Sequence, residues 1–134
     1  MSEIDASEEL ADLAFFALDH AVDSVSAGGP LVPFAVTEDG DGRNLTRFAA
    51  ESLEEGQANA RESARTAENA MRVAIAFDGY LTVEGERSDA VFVEAQERGK
   101  ESGIILAQRY RPGGRFKRFA TIGNPAHVGQ STLF

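Results

Sequence analysis

The chain contains no cysteine. That absence excludes a disulfide framework, thiolate metal ligands and a cysteine nucleophile. It also fits a reducing compartment. Long apolar runs are missing, and the first residues are acidic rather than basic and then apolar. Neither a membrane span nor a secretory leader is expected, so the chain reads as a soluble cytoplasmic protein. Histidine is limited to His20 and His127. Neither sits at a spacing that builds a metal site or a triad with the scattered acids. No serine has a nucleophile-elbow context, and no phosphate loop or dinucleotide fingerprint occurs. No catalytic residues, metal or cofactor are therefore expected.

Lysine is also scarce. Of 13 basic residues only Lys100 and Lys117 are lysine. With abundant alanine and acid, that bias points to a high-GC or salt-adapted bacterial source. The formal net charge is −9 over 134 residues. Such an acidic surface repels phosphates, which argues against nucleic acid as a partner. One segment breaks the pattern. Arg109-Tyr110-Arg111-Pro112-Gly113-Gly114-Arg115-Phe116-Lys117-Arg118-Phe119 carries five cations and no acid.

The length suits one domain, residues 1–134, able to bury a core without metal or disulfide. Residues 5–25 have helical periodicity, with Leu10, Ala11, Ala14, Phe15, Ala17, Leu18, Ala21, Val22 and Val25 on one broad arc. Asp5 and Glu8 are the expected capping pair. Leu31–Thr37 alternates as a strand, and Pro33, which has no N–H, predicts a sheet edge. Residues 38–42 form a hairpin loop, and 44–49 return. Ser52 with Glu55 opens a second helix running to about Asn69, with Leu53, Gln57, Ala60, Ala64, Ala67 and Met71 inward. Period two then returns from Met71. Asp78-Gly79 reads as a turn or a bulge. Residues 90–95 and 103–111 read as central strands, apolar on both faces. Arg115–Ile122 is the expected last strand, before an irregular tail from about Gly123. The order α-β-β-α-β-β-β-β predicts an α+β domain. It would have one antiparallel sheet of about five to six strands and two helices on one face.

Phe77-Asp78-Gly79-Tyr80 with Gly85-Glu86-Arg87-Ser88-Asp89-Ala90, and Ala107-Gln108-Arg109-Tyr110-Arg111, resemble stretches of a group of small bacterial proteins of uncharacterised function. That likeness covers about residues 70–125 and implies no activity. The element order from residue 5 to about 95 is similar to that of roadblock (profilin-like) dimerisation modules. Those modules end in a helix, where this chain has strands.

Three features are candidates for function. The first is the basic segment, with Arg109, Tyr110, Arg111, Arg115 and Lys117 as possible anion-binding residues. A three-residue loop at Pro112–Gly114 would place Arg111 opposite Arg115 and Arg109 opposite Lys117. A two-residue loop at Gly113-Gly114 would place Arg111 opposite Phe116. Like charges directly opposite cost roughly 0.2–1 kcal/mol per pair, so the first register calls for an acidic partner. The ordinary source is the chain's own Asp89, Glu94 or Glu86. The second is the seam Leu13, Phe16 and His20, beside an acidic stripe of Asp12, Asp19 and Asp23. The seam is either a partner contact or the edge of the core; the stripe reads as a solvated face. The third is Asp39–Asn44, which looks like a calcium loop but fails at its sixth and twelfth positions, Asn44 and Ala50. These readings favour a non-enzymatic interaction module, expected to be a homodimer. Anionic-ligand binding, with or without catalysis, is the alternative. Single-stranded nucleic-acid binding, with Tyr110, Phe116 and Phe119 stacking on bases, is the third.

Overall fold

The computed structural model describes residues 6–114 and 117–134. Its elements are α1 (Glu8–Ser26), β1 (Phe34–Asp39), β2 (Gly42–Arg47), α2 (Leu53–Arg65), β3 (Arg72–Val83), β4 (Glu86–Glu97), β5 (Gly103–Arg111) and β6 (Ala120–Ser131). The six strands form one antiparallel sheet in the order β2-β1-β3-β4-β5-β6. The α+β class and element order are as the sequence predicts. The two central strands are also as expected: β4 and β5 each have neighbours on both sides.

Helix α1 starts because Ser7 caps it. The Ser7 Oγ accepts from the Leu10 N–H at 3.1 Å and donates to Glu97 Oε2 at 3.1 Å, which ties the helix start to β4. The expected capping residue Asp5 lies outside the described residues. The inner arc of α1 buries Leu10, Leu13, Leu18 and Val25. Each contributes about 1.5–3 kcal/mol of apolar burial. Ser52 caps α2 as expected, accepting from the Glu55 N–H at 3.1 Å. The helix ends at Arg65, one turn earlier than predicted, and Leu53 and Met71 are exposed rather than inward. Gly56, Ala60 and Ala64 make its buried face. With so little side-chain bulk it lies close to the sheet. A Cβ on Gly56 would press on the Phe48 carbonyl and the Pro33 ring.

The two helices take opposite faces of the sheet, not one. Alternation along β3 decides this. Ala74 and Ala76 join the core under α1, with Phe34, Val91, Val93 and Leu106. Val73 and Ile75 join the core under α2, with Ala35, Ala60 and Ala64. Strands apolar on both faces require cover on both faces, and the sequence carries that pattern through β3, β4 and β5.

Three further expectations are corrected. β1 is internal, because β2 and β3 pair with it on either side. Pro33 precedes its first paired residue, so the missing N–H costs no ladder bond; its carbonyl accepts from Phe48 N–H at 2.8 Å. β3 runs unbroken through Asp78-Gly79 in even register with β4, with neither turn nor bulge. The turn comes at Glu84-Gly85, both at positive φ (53° and 80°), as a two-residue hairpin requires. Finally, the segment from Gly123 is not irregular. It belongs to β6, which pairs along β5 with two register shifts. Gly and Pro there produce an uneven strand rather than a loop.

Candidate interaction surface

The basic segment straddles the end of β5 and the connection to β6. Arg111 opposes Ala120, Tyr110 opposes Thr121 and Arg109 opposes Ile122. Neither predicted hairpin register is formed, because Arg111 pairs with Ala120, later in the chain than either register expects. Arg109 is half-buried on β5, while Arg111, Lys117 and Arg118 are exposed. Arg115 and Phe116 lie outside the described residues. The Arg111 guanidinium donates to the Arg118 carbonyl at 3.1 Å, which closes the loop on itself. Ion pairs among the described residues use Arg43, Arg61, Arg65 and Arg72. Arg109, Arg111, Lys117 and Arg118 make none with another described residue. Among the described residues, the expected internal neutralisation by Asp89, Glu94 or Glu86 is not made. Glu94 is engaged elsewhere, as set out below.

Tyr110 separates from this group. Its side chain is 5 % exposed, tilted against Phe119 at 5.6 Å between ring centres. Its hydroxyl donates to both Asp78 carboxylate oxygens at 2.9 Å. Burial pushes the Tyr110 hydroxyl well above its ordinary pKa, helped by the Asp78 and Asp89 charges. The same burial raises Asp78, against the pull of the Tyr110 hydroxyl and the Gly79 N–H. This is a structural clamp between β3 and β5 across β4, and it withdraws Tyr110 from any base-stacking surface.

On α1 the seam divides. Leu13 is 0 % exposed and belongs to the core, so it offers nothing to a partner. Phe16 is half-buried against the same core, with Arg43 at 4.7 Å above its ring and His20 at 4.6 Å beside it. Asp12, Asp19 and Asp23 are exposed. The seam is thus core edge at Leu13 and surface at Phe16 and His20. The Asp39–Gly42 tip is a hairpin turn closed by the Asp41 N–H on Asp39 Oδ1 at 2.7 Å.

Two ionic clusters escape a reading of the sequence. Arg61 on α2 donates bidentately to Glu94 on β4 at 2.9 and 2.8 Å, and the Ser131 hydroxyl donates to the same carboxylate. Burial alone would raise Glu94, but these donors hold it below the ordinary carboxylate range. Glu38 sits between Arg72 (2.5 Å) and Arg43 (2.6 Å), and Arg72 also reaches Glu97 at 2.9 Å. Arg61 and Glu94 lie 33 positions apart, Arg72 and Glu38 34, and Arg72 and Glu97 25; only Arg43 and Glu38, five apart, are near in sequence, so local spacing does not announce the clusters. A faint signal exists in Glu94, an acid inside an apolar run.

Clefts open on the described surface. One of about 500 Å³ includes Ser7, Glu97, Ser102 and His127, where His127 Nε2 is buried without a hydrogen-bond partner. Another of about 100 Å³ lies among Leu53, Asp78, Gly79, Tyr80 and Asp89. No described helix is long and apolar enough to cross a membrane. No protein-family model, curated protein or solved structure matches this chain.

Proposed function

We propose that this chain is a non-enzymatic interaction module that self-associates through opposed charge. The observation that carries this reading is that Arg109, Arg111, Lys117 and Arg118 make no ion pair with another described residue, on a protein of net charge −9. A second copy supplies acidic surface in abundance, including the exposed Asp12, Asp19 and Asp23 of α1. Complementary patches steer association and fix orientation. The buried and half-buried acids support the same view, because Glu38, Glu94 and Asp78 are already tied to Arg43, Arg72, Arg61, Ser131 and Tyr110. They serve the fold. The alternative is capture of a small anion by the basic segment.

The double variant Arg109→Glu with Arg111→Glu tests this. Sedimentation at low salt is expected to show association weakened at least tenfold relative to wild type, since like-charge juxtaposition replaces attraction. Unchanged association of the folded double variant contradicts charge pairing.

A further inference from the structure

We propose that the free edge of β3 from Phe77 to Val83 seats a second copy of this chain. The two β3 strands would pair antiparallel about a two-fold axis at Tyr80. It adds a backbone contact to the self-association proposed above, separate from the basic residues of β5, and rests on that reading. β1 accompanies β3 only as far as Phe34 opposite Ala76. Beyond that point β3 continues to Val83 with β4 alone beside it. No backbone hydrogen bond from outside the β3–β4 ladder reaches residues 77–83 among the described residues.

The sheet treats its edges differently. β2 is six residues long and carries exposed Arg43, Asn44 and Arg47. β6 carries Pro125, Gly123 at φ 68° and two register shifts. Charge, proline and bulges are the usual means of blocking strand addition. Beyond Asp78, the step along β3 has none of them. Gly79-Tyr80-Leu81-Thr82-Val83 is uncharged, free of proline and in even register. Tyr80 is 61 % exposed, yet its ring is held under the Arg87 guanidinium at 4.0 Å. Leu53 is 45 % exposed and shares a cleft with Gly79 and Tyr80. An ordered aromatic, an exposed leucine and an open ladder together make a surface for strand addition.

The segment is complementary to itself. Centred on Tyr80, antiparallel pairing sets Phe77 against Val83, Asp78 against Thr82 and Gly79 against Leu81. No charge meets its like. Centred one residue later, Asp78 would face Glu84, which is unfavourable. The slot also ends where the strand ends: Val83, the last residue before the turn, falls opposite Phe77, the first residue beyond β1. A two-fold contact uses the same surface on both copies and closes the assembly at two.

Disulfide trapping tests the register. The chain has no thiol of its own. Directly opposed residues in an antiparallel pair lie about 4.5–5.5 Å apart at Cα, within the roughly 4.4–6.8 Å that a disulfide spans. Tyr80→Cys is expected to oxidise to a covalent dimer at least tenfold faster than Val128→Cys, a comparably open position on β6 (40 % exposed). Tyr80→Lys and Tyr80→Glu should each lose association, and an equimolar mixture of the two should regain it. If wild type associates while Tyr80→Cys traps no faster than Val128→Cys, and Tyr80→Lys behaves as wild type, the strand pairing is overturned and self-association stands. A wild-type monomer at both low and high salt overturns both.

Discussion

The Tyr110 hydroxyl is shared between the two carboxylate oxygens of Asp78, at 2.9 Å from each, spanning β4 to join β5 to β3. Removing it leaves a half-buried carboxylate with only the Gly79 N–H as donor. Tyr110→Phe should cost about 1–3 kcal/mol in urea unfolding at pH 7, because the donor is lost while the acceptor stays.

Asp78 also sets a pH dependence. Burial, with the nearby Asp89 charge, raises its pKa against the pull of Tyr110 and Gly79. The folded state then holds its proton more tightly than the unfolded chain. The stabilisation linked to that proton is complete below about pH 4, the unfolded value, and is lost as pH rises through the higher folded value. Asp78→Asn should therefore flatten the slope of stability against pH on the alkaline side of pH 4, measured by urea midpoints between pH 4 and 7. An unchanged slope would show that Asp78 does not titrate this way.

Glu94 works in the opposite sense. Burial favours its neutral form, but Arg61 and Ser131 hold its pKa down. Its contribution is present above the unfolded value of about 4.3 and is lost as pH falls through the folded one. Arg61→Met leaves the buried carboxylate with the Ser131 hydroxyl alone. Stability at pH 7 should drop by about 2 kcal/mol, the lower end of such losses because Arg61 is partly exposed. The pH slope should reverse, since the unpaired carboxylate is now destabilising when ionised. Thermal melts of both proteins at pH 5 and 7.5 would expose the reversal.

Much of the architecture is visible in the residues themselves. Element order, the central placement of β4 and β5, and the Ser52 cap all follow from periodicity and local hydrogen-bond chemistry. What is misread depends on position in space. Pro33 says only that one N–H is missing; it does not say whether the ladder has begun. The opposite placement of the helices is latent in the two-sided apolar pattern of β3, but helix position cannot be read from the helices alone. Gly123 and Pro125 look like a tail until β5 supplies a strand to pair with. Leu13 and Tyr110 illustrate the same limit at the candidate site. A leucine beside Phe16 and a tyrosine between arginines look like surface, and the sheet buries both.

The C-terminus is part of that unread structure. The Leu133 and Phe134 N–H groups both donate to Gln96 Oε1, at 2.6 and 3.1 Å, and Leu133 is 2 % exposed beneath α2. Leu133→Ala should destabilise by about 2–4 kcal/mol through the cavity it leaves. Loss of helical signal and of the urea midpoint together would check it; a midpoint within error of wild type would contradict the packing described.

Gly103 gives a sharper steric prediction. It opens β5 against the start of the hairpin, and a Cβ there would collide with the Ala95 carbonyl and the Gln96 side chain. Gly103→Ala should cost about 3 kcal/mol, at the upper end for overpacking, because backbone rather than a side chain must move. Gly114→Ala, with open space around it, serves as the neutral comparison in the same unfolding assay.

Self-association driven by opposed charge is read most plainly from the mass of the protein in solution. Light scattering of wild type at low salt should give twice the 14.4 kDa chain mass. Raising the salt should shift the protein toward monomer as the Debye length shrinks from about 30 Å at 0.01 M to about 3 Å at 1 M. A monomer at both salts would contradict the account, and the unpaired arginines at 109 and 111 would then have to be explained by an anionic ligand.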